Sequence, residues 1–358
     1  MSSQNHPEKT DTASNRRMIL LTDGYSDPVT AKTACSILRY RSSEVDAVLD
    51  QEAAGRTASE LFGVGETIPV VASIADAPSA KTLVIGIAPP GGKIPDPWRA
   101  IVLEALSRGL NVVSGLHEFL SNDPEFVSAA EQSGAEIIDV RRNSERDVAN
   151  RENIRPECLR VLTVGHDCCV GKMVVAIELA RGLSREDQTT KFVATGQTGI
   201  LIEGDGCPVD CVVADFVSGA VEKLVLKNQH HDILLVEGQG SLAHPRYSAV
   251  TLGLLHGCLP QGMILCYEAG RTVVNGMPQI PLKSLPELRS VYETTAGLMW
   301  PSKVVGVAIN SRLLSDSEAD NERDRVRNEL GLPACDVLRH GPGELIMAVE
   351  SLRNEQIG

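Results

Sequence analysis

The run Gly165-His166-Asp167-Cys168-Cys169-Val170-Gly171-Lys172-Met173 sets a Gly-Lys pair between two apolar stretches, Leu159–Val164 and Val174–Leu183. Between a strand and a helix, such a loop turns successive backbone N–H groups toward one point. The helix N-terminus adds its own positive end, so an anion is held there. Lys172 brings a mobile positive charge. Asp167, Cys168, Cys169, Val170, Gly171, Lys172 and Met173 are therefore the expected phosphate-binding residues; an ordinary tight strand–helix turn is the plain alternative. The loop departs from the usual G-x-x-x-x-G-K-[ST] pattern in two ways. His166 stands where the first glycine belongs, with Gly165 one residue earlier, and Met173 replaces the hydroxyl that normally holds Mg²⁺. Phosphoryl transfer depends on that ion, whereas binding of a diphosphate or phosphate ester does not. Coenzyme A carries such groups and needs no metal to bind. No tightly bound metal is expected.

Other marked segments follow apolar runs in the same way. Thr195-Gly196-Gln197-Thr198-Gly199 sits where the carboxyl end of a parallel strand faces a ligand crevice; Thr195 and Gly196 join the expected cofactor contacts, or the segment is a simple glycine turn. Glu237-Gly238-Gln239-Gly240-Ser241 precedes His244, Arg246 and Tyr247. Glu237 or His244 suits a general base, with Ser241 and Tyr247 as substrate contacts; a glycine loop whose polar residues face solvent is the alternative. Arg271 suits a bidentate clamp on a substrate carboxylate, or an ion pair with Glu268. Cys168 and Cys169 lie beside a helix N-terminus, where a thiol pKa falls; packing of small apolar groups explains them better than a covalent acyl-cysteine. Asp205, Asp210 and Asp215 read as a solvated acidic face rather than a metal site, and His230-His231 as a solvated turn.

Strands must position these loops. In the first part of the chain, apolar runs predict strands at Met18–Leu21, Val45–Leu49, Thr82–Ile87, Asn111–Val113 and Ala135–Val140. Helical stretches are predicted at Ala31–Tyr40, at Trp98–Arg108 and from Ser114–Leu120 onward. A second series predicts strands at Leu159–Val164, Lys191–Ala194, Val209–Ala214, Ile233–Val236, Met263–Tyr267 and Lys303–Ala308. Strands alternating with helices predict doubly wound, mainly parallel sheets. Asn143–Pro156 is charged and poor in apolar residues. The expected division is a tail over 1–15, a Rossmann-like domain over 16–150 and a P-loop NTPase-like domain over 151–358, all of α/β class.

Totals narrow the function. The formal charge of −13 and the lack of a basic stripe exclude nucleic acid as the expected partner. Nine cysteines without C-x-x-C spacing argue against a disulfide framework and against structural zinc, and suit reduced thiols in the cytoplasm. Met1–Asn15 is polar and lacks the apolar segment of a signal peptide, and no apolar run is long enough to span a membrane. Small-molecule substrates and a homo-oligomer are the expected partners.

The loop at Gly165–Met173 resembles the G-T-D-x-x-V-G-K-T loop of dethiobiotin synthetase. Phe192–Gly196 is similar to that enzyme's second strand and loop, and Glu237–Gly240 to its acidic glycine loop; an ATP-dependent carboxylate-activating ligase is what this resemblance implies. Met173 breaks the match at the metal hydroxyl. A resemblance covering nearly the whole chain lies in Gly86–Gly92, Ser114–Leu120, Gly165–Met173, Thr195–Gly199, Val213–Phe216, Glu237–Gly257 and Tyr267–Arg271. These segments are similar to a bacterial family, long of unknown function, with members assigned as D-glutamate N-acetyltransferase. The resemblance implies acyl transfer from acetyl-CoA to the amine of D-glutamate. Ala88–Gly92 also resembles the CoA-binding Rossmann domains of acyl-CoA synthetases. On this reading the loop holds the CoA phosphates, Glu237 or His244 is the base, and backbone N–H groups or Lys172 stabilise the thioester oxyanion. A nucleotide-binding regulator without catalysis is the remaining alternative.

Overall fold

A computed structural model describes residues 17–89 and 91–357. The tail expected over 1–15, and Pro90 within the Ala88–Gly92 loop, lie outside the described residues. The chain divides after Arg142 into two compact units. Both are α/β, and each is built on a six-stranded sheet in which every pairing is parallel.

In the first unit the strands are β1 (Met18–Leu21), β2 (Val45–Leu49), β3 (Val70–Val71), β4 (Thr82–Ile85), β5 (Asn111–Ser114) and β6 (Ile137–Asp139). Their order is β3-β2-β1-β4-β5-β6, the Rossmann arrangement with its switch point between β1 and β4. All four residues of β1 are buried, as helices on both faces of a parallel sheet require. At the carboxyl end of β2, the Asp50 carboxylate accepts from the Gly24 N–H at 3.3 Å and the Ala53 N–H at 3.0 Å, pinning the loop that leaves β1. The helix expected to open at Ser114–Leu120 starts later. Ser114 ends β5, and His117 and Glu118 instead donate their N–H groups to the Gly92 carbonyl, each at 3.0 Å. The helix runs Pro124–Ser133, where Asp123 caps the N-terminus and Pro124 takes the first turn.

In the second unit the strands are β7 (Leu159–Gly165), β8 (Thr190–Val193), β9 (Ile233–Val236), β10 (Gly262–Glu268), a hairpin β11 (Val273–Val274) and β12 (Met277–Pro281), β13 (Lys303–Asn310) and β14 (Ala334–Cys335). Sheet order is β14-β13-β10-β7-β9-β8, so the phosphate-loop strand β7 is central. The strand expected at Val209–Ala214 is absent; the segment forms two 3₁₀ turns, Val209–Cys211 and Ala214–Phe216. Its buried apolar residues are Val209 and Val212, three apart, while Val213 is exposed, which is turn spacing and not the alternation of a strand. The charged segment after Asn143 runs along helix Val217–Asn228. The N–H groups of Asn150 and Arg151 donate to the Glu222 carboxylate at 3.0 and 2.9 Å. No helix of the described residues is long and apolar enough to cross a membrane.

The exit of β9 passes close beside β7. The Gly238 N–H donates to Thr163 Oγ1 at 2.9 Å, and a Cβ at Gly238 would lie 1.6 Å from the Thr163 carbonyl oxygen. Gly238→Ala is therefore expected to push two central strands apart and lower stability by roughly 2–3 kcal/mol or more. Gly297→Ala, where an added Cβ meets nothing within 4 Å at the end of a helix, is expected to be neutral or slightly stabilising. Denaturant midpoints of the two variants check this; equal midpoints contradict the close approach.

Candidate functional site

The carboxyl ends of β7, β8, β9 and β10 carry the segments that the sequence marks. After β7 the chain turns through His166–Gly171 into helix Lys172–Leu183. Cys169 at φ +57° and Gly171 at φ +102° are both left-handed, which folds the backbone into a concave turn at the helix N-terminus. Glycine takes this conformation freely; Cys169 does so at a cost of order 1 kcal/mol. Lys172 is buried and its Nζ donates back to the Asp167 carbonyl at 2.8 Å. Burial pushes its ammonium pKa down.

Asp167 is fully buried, and its carboxylate is ringed by donors. It accepts from the Cys168 N–H at 2.7 Å, the Asn275 N–H at 2.7 Å and Arg271 Nη1 at 3.0 Å. Arg271 also donates to the Cys168 carbonyl at 2.9 Å and to the Glu268 carboxylate at 3.0 Å. Its guanidinium thus lashes the phosphate loop to the end of β10. The ion pair with Glu268 expected as an alternative is present, and the guanidinium directs Nη1 and Nη2 to Asp167, Cys168 and Glu268.

Two further loops close on this node. The Asn275 carbonyl faces His244 Nε2 at 3.2 Å, while His244 Nδ1 accepts the Arg246 N–H at 3.2 Å. The Arg246 N–H on Nδ1 places the ring proton on Nε2, 3.8 Å from Asp167 Oδ1. Tyr247 stacks its ring 4.4 Å from that of His244 and is exposed. Ser241 is fully buried; its Oγ accepts the Ala243 N–H at 3.2 Å and lies 3.5 Å from the Tyr292 hydroxyl, placing it inside the loop's own framework.

Glu237 reaches the other way, toward β8. Its Oε2 accepts the N–H groups of Thr195 at 2.9 Å and Gly196 at 3.0 Å. A Cβ at Gly199 would lie 2.3 Å from Oε2, and one at Gly196 3.1 Å from Oε1. The glycines of the Thr195–Gly199 segment are thus needed because the carboxylate fills their side-chain space. Burial pushes the Glu237 carboxyl up to about 7, against the opposing pull of the Thr195 and Gly196 N–H groups.

The Cys168 thiol does not take the reactive form. A hydrogen bond with Cys169 and then burial push the Cys168 pKa upward, so the thiol stays protonated. Among the described residues, a carboxylate oxygen of Asp167, the Cys168 thiol and a ring nitrogen of His244 lie within 4.8 Å of one another. The Arg271 guanidinium, 3.0 Å from the Asp167 carboxylate, already brings positive charge to this trio. Asp205 is paired with Lys227 at 2.8 Å.

Two participants lie outside the sequence reading, and a third enters it only as a departure from the glycine pattern. Asn275 was signalled by an Asn-Gly pair between short apolar runs, a hairpin mark. Tyr292 had only its place in the apolar face Leu285, Leu288, Tyr292, Ala296; buried, its hydroxyl donates to the Gly165 carbonyl at 2.8 Å and accepts the Leu242 N–H at 3.1 Å. His166 was noted as a departure from the glycine pattern. It is buried and its Nε2 accepts the Glu268 N–H at 3.2 Å.

Comparison with known proteins agrees with this layout. The model of a "Domain of unknown function (DUF1611_C) P-loop domain" matches residues 147–346, and that of a "(DUF1611_N) Rossmann-like domain" matches 51–143. The chain is 41% identical over 280 residues to a D-glutamate N-acetyltransferase of Tritonibacter scottomollicae, spanning 78% of this chain and 84% of that one. It is 37% identical over 270 residues to a protein of the same name from a Pseudoalteromonas species, spanning 75% and 80%. The crystal structure of a DUF1611 family protein from Anabaena variabilis superposes with a TM-score of 0.89 at 38% identity, covering 94% of this chain and 99% of that one.

Burial and then the Arg271 charge bring the His166 imidazole down from 6.5 to about 4. A depressed pKa contributes stability that is fully present above pH 6.5 and is lost as pH falls toward 4, in all roughly 3 kcal/mol. Thermal or denaturant unfolding across pH 4–8 is expected to show a steeper acid loss in the parent protein than in His166→Gln. Parallel curves contradict the buried, neutral imidazole.

Proposed function

We propose that this chain, which belongs to the DUF1611 family, transfers the acetyl group of acetyl-CoA to the amine of D-glutamate. The observation that carries the reading is an intact anion nest with its lysine but with Met173 in place of the metal-binding hydroxyl. Such a loop grips phosphates without cleaving them, so the reactive bond belongs elsewhere on the ligand. The thioester at the far end of CoA meets that requirement, and the names of the relatives support it.

In the proposed reaction the acceptor amine attacks the thioester carbonyl. The new C–N bond forms, the C–S bond breaks and CoA leaves as thiolate. The amine proton passes through a base and ends on the thiol. We assign His244 as that base: Asn275 and Asp167 hold its Nε2–H inward, and Nδ1 takes the proton after releasing the Arg246 N–H that it accepts here. Glu237, tied to Thr195 and Gly196, is assigned to positioning. Lys172 and the loop N–H groups supply positive charge for phosphate or for the thioester oxyanion.

Acetyl-CoA with D-glutamate is expected to yield free CoA thiol and N-acetyl-D-glutamate in equal amounts, without ATP and in the presence of EDTA. A thiol-reactive dye with mass spectrometry of the product reads both. His244→Gln is expected to slow turnover roughly 10²–10⁴-fold, and Glu237→Gln to cost less. Thiol release at the uncatalysed rate across D- and L-amino acids, with ADP formed from ATP, a carboxylate and an amine, overturns the reading in favour of a ligase. A larger loss in Glu237→Gln moves the base to Glu237.

Lys172→Ala is expected to weaken acetyl-CoA binding by roughly 1.5–3 kcal/mol, the scale of a charge-assisted hydrogen bond. Calorimetric titration measures it, and unchanged affinity in a folded variant contradicts phosphate binding at this loop.

A further inference from the structure

We propose that Arg246 receives the side-chain carboxylate of the acceptor amino acid, the role that Arg271 cannot fill while it binds Asp167 and Glu268. The inference rests on the acetyl-transfer reading and adds the residue that selects an anionic acceptor.

An acceptor with two carboxylates brings negative charge to a site whose nearest acids, Asp167 and Glu268, are already there. The cations around them are spent: Arg271 bridges both carboxylates, and Arg312 lies 3.1 Å from Glu268. Lys172 is buried and turned onto the Asp167 carbonyl. Arg246 differs from all three. Its backbone N–H is bonded to His244 Nδ1, so its main chain lies against the assigned base. Its side chain is exposed and, among the described residues, makes no ion pair.

The direction of that side chain matters as much as its freedom. A Cβ at Gly276 would lie 3.4 Å from Arg246 Nη1, so the guanidinium rests over the tip of the β11–β12 hairpin. The neighbouring residue of that tip, Asn275, donates to Asp167 and faces His244. Arg246 therefore spans from the base, at its backbone, to the rim of the loop cluster, at its guanidinium. An amine reacting beside His244 Nδ1 keeps its α-carboxylate close to the reacting atom. Its distal carboxylate is the group that an extended arginine at the rim meets, through a planar fork suited to bidentate pairing. Exposed Tyr247 flanks the same rim.

The test compares the parent protein, Arg246→Ala and Arg246→Lys with D-glutamate and with D-glutamine, which has the same shape and lacks the distal charge. In Arg246→Ala the KM for D-glutamate is expected to rise roughly tenfold or more. The KM for acetyl-CoA and the kinetics with D-glutamine should stay as in the parent, and Arg246→Lys should restore part of the loss. Acetyl transfer by the parent with an unchanged D-glutamate KM in Arg246→Ala, or with equal losses for both acceptors, overturns the assignment and leaves the activity standing. If the parent makes no N-acetylated product, the acetyl-transfer reading falls. Calorimetric titration of D-glutamate then decides the site alone: binding that weakens in Arg246→Ala supports it, and equal or undetectable binding in both proteins overturns it.

Discussion

A single buried carboxylate, that of Asp167, joins the parts on which the candidate site depends. It lies inside the phosphate loop, yet its donors come from two segments far along the chain, the Arg271 guanidinium after β10 and the Asn275 N–H at the hairpin tip. A carboxylate removed from water must be matched by donors or cost several kcal/mol. Here that requirement makes the loop, the β10 exit and the hairpin interdependent. His244 joins them through the Asn275 carbonyl, so the phosphate loop and the assigned base share one polar network.

Glu237 performs a comparable task on the β8 side. Its carboxylate bonds two consecutive N–H groups and occupies the space above Gly196 and Gly199. The Thr195–Gly199 and Glu237–Ser241 segments are therefore one packed unit. Glycine in the first is a consequence of the carboxylate in the second. The raised Glu237 pKa follows from the same burial, because two N–H donors offset only part of the lost hydration.

The proposed chemistry is binding of a phosphate-bearing group by backbone and lysine, with reaction at a distance. Met173 stands where metal-assisted phosphate cleavage uses a hydroxyl, and Asp167, beside Cys168 and His244, is already paired with the Arg271 guanidinium. Positive charge in the cluster comes from side chains, with Arg271 turned inward and Arg246 turned outward.

Much of this was legible in the order of residues. Apolar runs such as Met18–Leu21 and Ile233–Val236 became buried parallel strands within a residue or two of their expected limits, because a strand covered on both faces needs an unbroken apolar run. The Gly-Lys loop was legible because its geometry is local, set by left-handed residues between one strand and one helix. What sequence could not decide is where side chains of opposite preference end up. Val209–Ala214 has strand-like residues, but only tertiary packing showed that Val209 and Val212 alone are buried. Arg271 reads equally as a substrate clamp or as the partner of Glu268, and the fold sets it on two buried carboxylates contributed by residues 104 and 3 positions away. The tautomer of His244 and the carboxyl pKa of Glu237 likewise depend on partners that only the folded sheet brings within reach, since hydrogen bonding and desolvation are properties of the assembled neighbourhood and not of the residue.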